Sequence, residues 1–205
     1  MSLRVGVLAS GAGTNLQAIL DRVHGREAEV VAVGSDKPGA QALARAERAG
    51  VATRAFPVAD FADRAARDAA MAEWLEAQRV ELVVLAGYMQ LLSSGFLARF
   101  PQRVINVHPA LLPAFPGIRA VEQALEHGVK VFGVTVHFVD EGVDTGPIIA
   151  QRAVALPDAS EPEQVRVALR PLEHELLTGA VRRIAAGAVR PDPAHPRRVL
   201  VTPAL

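Results

Sequence analysis

Short apolar runs and longer amphipathic segments alternate along the chain. Runs of roughly four to eight apolar residues are typical of buried strands, whereas apolar positions that recur every three or four residues are typical of helices. This pattern predicts strands at 3–9, 29–35, 51–56, 81–86, 103–108, 131–139 and 148–156. It predicts helices at 14–23, 40–49, 61–78, 94–100, 120–127 and 161–184.

Strands that alternate with helices in this way predict an α/β fold with a central, mainly parallel sheet and helices on both of its faces. With 205 residues, half of them hydrophobic, the chain is long enough to bury a complete core in one domain. We expect that domain to span residues 1–189, followed by a proline-rich C-terminal arm at 190–205.

Three predicted helix starts carry capping signals, in which a polar side chain bonds the free N–H groups of the first turn. The signals are Thr14 with Gln17, Asp60, and Ser160 with Glu163. Pro171 lies inside the last helical segment and predicts a kink or a break there, because proline cannot donate the helical hydrogen bond.

Composition argues against several classes of function. The 22 basic and 22 acidic residues cancel, so nucleic acid and anionic membranes are not expected partners. Because there is no cysteine, disulfides, thiolate nucleophiles and cysteine-bound zinc are excluded. The N-terminus lacks a signal-peptide pattern, and no apolar run approaches the roughly 20 residues of a membrane span. We therefore expect a cytoplasmic protein that acts on small molecules as a monomer or homodimer.

Asn106 and His108 are the first candidates for chemistry. They occupy alternate positions near the end of a predicted strand, so both side chains project from one face. Pro109 favours extended geometry at His108, and further prolines stiffen the loop up to Gly117. Taken alone, the pair also fits a turn-capping asparagine and an ordinary buried histidine.

A glycine-containing loop, SGAGTN at 10–15, separates the first strand from a helix. Free N–H groups and the helix dipole favour anion binding at such a helix start. Gly11 and Gly13 match the beginning of the dinucleotide fingerprint, but Leu16 occupies the position of its third glycine. A single phosphate is therefore favoured over a dinucleotide, and a plain strand-to-helix turn is the alternative.

Three further features carry weaker functional signals. The apolar loop 87–93 either packs beneath a neighbouring segment or lines a hydrophobic ligand pocket. His137 is alone on its strand face and fits an ordinary, partly buried histidine. Asp140 and Glu141 fit a solvated surface better than a metal site, because no further ligands converge at suitable spacing.

Five motifs in order resemble the phosphoribosylglycinamide formyltransferase family over nearly the whole chain. They are SGAGTNLQAIL, LAGYMQLLS, INVHPALLPAFPG, GVTVHFVDEGVDTGPII and LEHEL. Each motif is weak alone, but the ordered set is specific. The resemblance implies a Rossmann-like formyltransferase fold. It also implies formyl transfer from 10-formyltetrahydrofolate to 5'-phosphoribosylglycinamide, a step of de novo purine biosynthesis that needs no metal.

The resemblance also implies roles for individual residues. The catalytic trio falls on Asn106, His108 and Asp144, with His137 as a neighbour of the active site. The residues implied to bind the substrate phosphate are Gly11, Gly13, Thr14 and Asn15, and the residue implied to contact the glycinamide part is Glu173. The residues implied to line the folate pocket are Met89, Gln90, Leu91 and Leu92, together with Asp140, Glu141 and Val143.

Two positions depart from the family pattern. Gln90 stands where many members carry arginine, and Ala114 stands where some carry lysine. Pterin contacts in this family are largely made by the backbone, so the first change should alter folate affinity more than folate identity. The second change leaves the phosphate with one fewer candidate cation.

The implied reaction explains why these residue types are needed. As a neutral amine attacks the formyl carbon, negative charge builds on the formyl oxygen. Asn106 and His108 would donate hydrogen bonds to that oxygen, an effect worth about 3 kcal/mol per donor. Asp144 would orient His108, favour its charged form, and move a proton through a bound water to the departing folate nitrogen.

Several other functions fit parts of the pattern. Methionyl-tRNA formyltransferase and formyltetrahydrofolate hydrolase share the formyl chemistry, but they normally add a nucleic-acid-binding or a regulatory domain, which we do not expect here. A non-catalytic binder of a phosphorylated or folate metabolite is disfavoured by the complete catalytic trio. A nicotinamide oxidoreductase is disfavoured by the interrupted glycine fingerprint.

Overall fold

The computed structural model describes residues 2–202. Its strands are Leu3–Leu8 (β1), Ala28–Ser35 (β2), Ala52–Ala55 (β3), Leu82–Leu85 (β4), Val104–His108 (β5), Val131–Phe138 (β6), Ile148–Ala155 (β7), Val189–Asp192 (β8) and His195–Val201 (β9). Its helices are Thr14–Arg22 (α1), Gln41–Arg48 (α2), Arg64–Ala77 (α3), Ser94–Arg99 (α4), Ala120–Glu126 (α5) and Pro162–Ala185 (α6). Each predicted strand and helix is present, with ends that differ by a few residues.

Seven strands form one sheet in the order β3-β2-β1-β4-β5-β6-β7. The pairs β1–β2, β1–β4, β2–β3 and β4–β5 are parallel, whereas β6–β7 is antiparallel. The predicted α/β fold with a mainly parallel sheet is therefore confirmed. The antiparallel pair arises because β6 and β7 are joined by a short loop, and a parallel connection would need a longer crossover.

The chain divides into two compact units, one ending at Asn106 and the other beginning at Val107. The first unit contains β1 to β4, most of β5 and the helices α1 to α4. Its core combines strand residues with the inner faces of the helices, because both faces of a parallel sheet are covered. The fully buried residues include Val7, Leu16, Ile19, Met71, Leu75 and Val83.

The second unit contains β6 and β7, the helices α5 and α6, and a hairpin of β8 and β9. The long helix α6 packs against β6, with Val165, Leu169 and Leu177 completely buried. The predicted split at Pro171 is wrong, because α6 runs unbroken through it, whereas the predicted kink stays a prediction. Pro171 is exposed, so the helical position that lacks a hydrogen bond faces solvent and not the core.

The predicted cap at the start of α1 is wrong. The capping residue is Gly13, in the left-handed conformation and with no side-chain bond, and Thr14 is the first helical residue. Gln17 instead donates its side-chain amide to Asp21. Glycine takes the capping position because the chain turns there at a positive φ of 70°, which costs a residue with a Cβ atom.

The other two predicted caps are displaced along the chain. The cap of α3 is Asp63 and not Asp60, because a 3₁₀ turn, Val58–Asp60, intervenes before the helix. At α6 the reciprocal capping pair is Glu161 with Gln164, one residue beyond the predicted pair. Pro162 explains that shift, since proline is favoured at the first helical position.

The predicted C-terminal arm is an antiparallel hairpin as far as it is described. Its strands β8 and β9 are paired from Val189↔Val201 to Asp192↔His195. Met1 and residues 203–205, the last part of the arm, lie outside the described residues. Within residues 2–202, no helix combines the length and the apolar character that crossing a membrane requires.

Candidate active site

His108 ends β5 and is 4% exposed. Its Nε2 lies 2.8 Å from the carbonyl oxygen of Phe115, in the proline-containing loop that follows the strand. Because a carbonyl oxygen only accepts, Nε2 carries the hydrogen in this contact. The loop therefore fixes both the ring orientation and which nitrogen is protonated in the neutral imidazole.

Thr135 on β6 holds this loop in place. Its hydroxyl donates to the carbonyl oxygen of Ala110 at 2.7 Å and accepts the N–H of Leu112 at 3.1 Å. The side-chain amide of Gln151 adds a hydrogen bond to the same hydroxyl and another to the carbonyl oxygen of Leu112. Since Thr135 is completely buried, these bonds satisfy a polar group that could not reach water.

Asp144 lies in the loop between β6 and β7. Its Oδ2 accepts the backbone N–H of Gly117 at 2.7 Å and lies 3.3 Å from Nδ1 of His108. Its Oδ1 lies 3.4 Å from Nε2 of His137. Asp144 adopts a positive φ of 53°, a left-handed conformation that aspartate and asparagine tolerate better than most residues. The structure thus brings His108 together with two residues, His137 and Asp144, that follow it by about 30 residues or more.

His137 is 1% exposed and belongs to this cluster. Its Nδ1 lies 2.8 Å from the carbonyl oxygen of Phe138, so that nitrogen carries a hydrogen. Both histidines are therefore placed between a backbone carbonyl and one oxygen of Asp144. The interpretation of His137 as an ordinary buried histidine leaves out its contact with the carboxylate.

Burial and charge act in opposite directions on His108. Burial lowers the pKa of His108, and the carboxylate of Asp144 and the carbonyl of Phe115 raise it by less than burial lowers it. The neutral imidazole is therefore favoured at neutral pH in the unliganded protein. We expected Asp144 to favour the charged form; it does act in that direction, but burial is the larger effect.

Asp144 is ionised throughout the physiological range. Burial raises its pKa, but hydrogen bonds from His137 and Gly117 and the nearby histidine rings lower the pKa of Asp144 to about 2. A carboxylate that is charged, buried on most sides and bonded to a backbone N–H is well placed to accept or relay a proton and, when Nδ1 of His108 is protonated, to orient that ring.

The loop around Asp144 is braced by its own residues. Oδ1 of Asp140 accepts the N–H of Gly142 at 3.1 Å and the hydroxyl of Thr145 at 2.6 Å. A Cβ atom at Gly146 would lie 1.8 Å from the carbonyl oxygen of Phe138, so only glycine fits there. One oxygen of Asp140 is thus engaged within the loop, while Glu141 and Val143 are exposed.

Asn106 and Glu173 occupy the positions that the strand and helix patterns predict. Asn106 is half-buried in β5, in register with Leu85 of β4, two residues before His108. Glu173 is half-buried on α6.

The glycine loop of the first unit is tightly packed at Gly13. A Cβ atom there would lie 2.8 Å from the Cα and Cβ atoms of Ala42, at a positive φ of 70°. The N–H of Ala42 donates to the carbonyl oxygen of Gly11, and Nε of Arg45 donates to that of Ala12. These contacts hold the loop ahead of Thr14, where the first N–H groups of α1 have no partner within the helix.

The remaining phosphate candidate, Asn15, is buried in the first turn of α1.

In the apolar loop 87–93 the side chains divide between two environments. Tyr88 is buried, whereas Met89 and Leu91 are 62% and 55% exposed. Leu92 is half-buried, as is Gln90, whose side chain bonds other residues of the unit. Tyr88 thus fits the packing interpretation, whereas the ligand-pocket interpretation of Met89 and Leu91 stays a prediction.

Sequence reasoning missed three groups that shape the site. They are the hydroxyl of Thr135, the carbonyl of Phe115 and the N–H of Gly117. Thr135 could have been found, because it shares a strand face with His137. The two backbone groups carry no sequence signal.

Within residues 2–202, no cluster of three or more histidine, aspartate or glutamate side chains has an arrangement suited to a metal ion.

Residues 3–181 match the formyl transferase family. The chain is 41% identical to the phosphoribosylglycinamide formyltransferase of Bacillus subtilis (strain 168), over 88% of this chain and 94% of that protein. It is 44% identical to the trifunctional purine biosynthetic protein adenosine-3 of Drosophila melanogaster, over 93% of this chain but 14% of that protein's length.

A solved structure agrees with these sequence matches. Glycinamide ribonucleotide transformylase 1 from Symbiobacterium toebii superposes with a TM-score of 0.93 at 48% identity, covering 98% of this chain and 94% of that one. The fold and the site define an α/β protein with a carboxylate held between two histidines. This chain belongs to the formyl transferase family, as its ordered motifs predict.

Proposed function

We propose that this protein transfers the formyl group of 10-formyltetrahydrofolate to the amine of 5'-phosphoribosylglycinamide. The products are phosphoribosyl-N-formylglycinamide and tetrahydrofolate, as in a step of de novo purine biosynthesis. The proposal is supported most directly by one observation, the contact of Asp144 with His108 at the end of β5 in a member of the formyl transferase family. The substrates are soluble metabolites, so we propose a cytoplasmic enzyme, either a monomer or a homodimer.

The reaction forms one C–N bond and breaks another. The substrate amine adds to the formyl carbon, and negative charge builds on the formyl oxygen. In this proposal Asn106 donates a hydrogen bond to that oxygen, and His108 donates a second one once its Nε2–H leaves the carbonyl oxygen of Phe115, its partner in the unliganded protein. Such donors are worth about 3 kcal/mol each. The bond between the formyl carbon and the folate nitrogen then breaks, which restores the carbonyl.

Proton transfer accompanies these steps. The attacking amine becomes cationic on addition and must lose a proton, while the departing folate nitrogen must gain one. Asp144 is ionised at neutral pH and can accept the first proton through a bound water and return it to the leaving nitrogen. A negative charge at Asp144 also favours a proton on His108 when the formyl oxygen becomes anionic.

The glycine loop is the proposed site of the substrate phosphate. Gly11, Gly13, Thr14 and Asn15 occupy the loop and the first turn of α1, where N–H groups and the helix dipole attract an anion. The interrupted dinucleotide pattern supports a single phosphate here. Glu173 is the proposed contact of the glycinamide part.

The proposed folate contacts are in two segments, 89–92 and 140–143. The exposed apolar side chains of Met89 and Leu91 suit an aromatic ring system better than water, and they are carried by a loop whose backbone is fixed from within. In the second segment Val143 and Glu141 are exposed, and one oxygen of Asp140 is engaged in its own loop.

The decisive assay incubates the protein with 5'-phosphoribosylglycinamide and 10-formyltetrahydrofolate and follows both products. Formylated glycinamide and tetrahydrofolate should appear in equal amounts and only when both substrates are present. Release of tetrahydrofolate without the acceptor would identify a hydrolase instead. Saturable binding without turnover would identify a metabolite-binding protein.

A further inference from the structure

A buried ion pair adjoins the apolar loop 87–93 in the first unit. Arg67 and Asp68 are adjacent on α3, and their side chains are only 2% and 0% exposed. One carboxylate oxygen of Asp68 accepts hydrogen bonds from both Nε and Nη2 of Arg67, at 3.0 and 2.7 Å. A buried ion pair is tolerated only when its remaining polar atoms also have partners.

The loop supplies those partners from its backbone. The N–H of Ser93 donates to the second oxygen of Asp68 at 2.6 Å. Nη2 of Arg67 donates to the carbonyl oxygen of Leu91 at 3.4 Å. The loop and the ion pair therefore stabilise each other. Without the loop, the second oxygen of Asp68 loses the N–H of Ser93, and without the pair, that N–H and the carbonyl oxygen of Leu91 lose these partners.

Gln90 adds a link through its side chain. Its Oε1 accepts from Nη1 of Arg67 at 3.3 Å, and its Nε2 donates to Oδ2 of Asp36 at 3.0 Å. Asp36 directly follows β2 and is 6% exposed. Both ends of the Gln90 amide are thus bonded within the protein, whereas its neighbours Met89 and Leu91 face outward.

Ser10 fixes the first half of the same loop. Its N–H donates to the carbonyl oxygen of Gly87 at 3.0 Å, and its hydroxyl accepts the N–H of Met89 at 2.9 Å. Ser10 is buried and immediately precedes the glycine loop at Gly11. The loop 87–93 is consequently anchored at both ends, and Gln90 lies between the two anchors.

We propose that Gln90 is a positioning residue that, together with the buried Arg67–Asp68 pair, holds loop 87–93 in the conformation that receives the folate. The proposal rests on the proposed function, because that function assigns folate binding to this loop. Its consequence is that Met89 and Leu91 are presented on a pre-ordered backbone, so less conformational entropy is lost when the folate binds. The side chain of Gln90 acts through Arg67 and Asp36 and not on the ligand.

The test is Gln90→Met, which keeps the length of the side chain and removes both of its hydrogen bonds. Losing bonds to charged groups should raise the amide exchange rate of segment 87–93 about tenfold in the unliganded protein. The KM for 10-formyltetrahydrofolate should rise by a similar factor, while the KM for 5'-phosphoribosylglycinamide should not change. Gln78→Met is the matched control and should leave all three quantities unchanged. Gln78 caps the C-terminal end of α3, the helix that carries Arg67 and Asp68.

The results distinguish this proposal from the one it rests on. Unchanged exchange in segment 87–93 of Gln90→Met overturns the positioning role, whatever the kinetics. Faster exchange with unchanged folate KM also overturns it if Met89→Asp weakens folate binding in the same assay. If Met89→Asp has no effect either, the assignment of folate to this loop has failed, and the positioning of the loop for folate fails with it.

Discussion

Oδ2 of Asp144 lies 3.3 Å from Nδ1 of His108, although His108 ends β5 and Asp144 lies in the loop between β6 and β7. The carboxylate reaches the ring because Asp144 adopts a left-handed conformation and is bonded to the N–H of Gly117. A single side chain thus joins the end of β5 to the loop after β6, and the proposed chemistry depends on its charge.

Asp144→Asn should lower kcat by about a hundredfold or more with little change in KM, since a relay group acts mainly in the transition state. Asparagine has the same shape and tolerates the positive φ, so the fold should be retained. Steady-state kinetics on the folded variant provide the measurement, with the exposed Asp158→Asn as the control. Activity within a few-fold of the parent would show that Asp144 is only a turn residue.

Asp144 also predicts an acid-sensitive contribution to stability. Its folded-state pKa is about 2, against an ordinary value of 3.8. Because the folded pKa is the lower one, the contribution is complete above the ordinary value and is lost as the pH falls toward 2. The difference between the two pKa values corresponds to about 2 kcal/mol of unfolding free energy.

Urea unfolding of the parent and of Asp144→Asn should reveal this contribution. The difference in unfolding free energy between the two proteins should shrink as the pH is lowered from about 4.5 to about 3. A difference that stays constant over that range would mean that the carboxylate is not held in its charged form by the folded protein.

Gly13→Ala should raise the KM for 5'-phosphoribosylglycinamide and leave folate binding intact. The new Cβ atom would lie 2.8 Å from Ala42, so the glycine loop must move away from α2. The control is Gly50→Ala, which has the same positive φ but open space around the added carbon. It separates the cost of the left-handed conformation from the effect of the collision.

Calorimetric titration extends this test to the ligand. If the loop binds the phosphate, the phosphorylated substrate should bind to the parent protein and the dephosphorylated riboside should not. Equal affinity for the two compounds would assign the glycine loop to an ordinary strand-to-helix turn.

Met89→Asp should weaken folate binding while binding of the phosphorylated substrate is retained. The side chain is 62% exposed, so a carboxylate is tolerated in the free protein but would have to be desolvated beneath a bound ring. Val58→Asp, at another exposed apolar position of the first unit, is the control. Equal folate affinity in both variants would remove the loop from the folate site.

Local pattern was sufficient to predict most of the fold. A strand buried on both faces must be apolar along its length, and a helix must place its apolar residues every three or four positions, so both leave a signal within a few residues. The capping residues were predicted less well, because a cap depends on the backbone angles of one residue. Gly13, Asp63 and Glu161 cap the helices for which the sequence predicts Thr14, Asp60 and Ser160 as caps.

The sequence by itself also supplied the candidate side chains for chemistry: Asn106 and His108 by strand alternation, and Asp144 and the other candidates by the ordered family motifs. Tertiary structure decided how they are paired. The approach of Asp144 to both His108 and His137 and the bond between Gln90 and Arg67 join residues from separate segments. Such contacts, and the burial that lowers the pKa of His108, depend on how the chain packs and leave no periodic signal in the sequence.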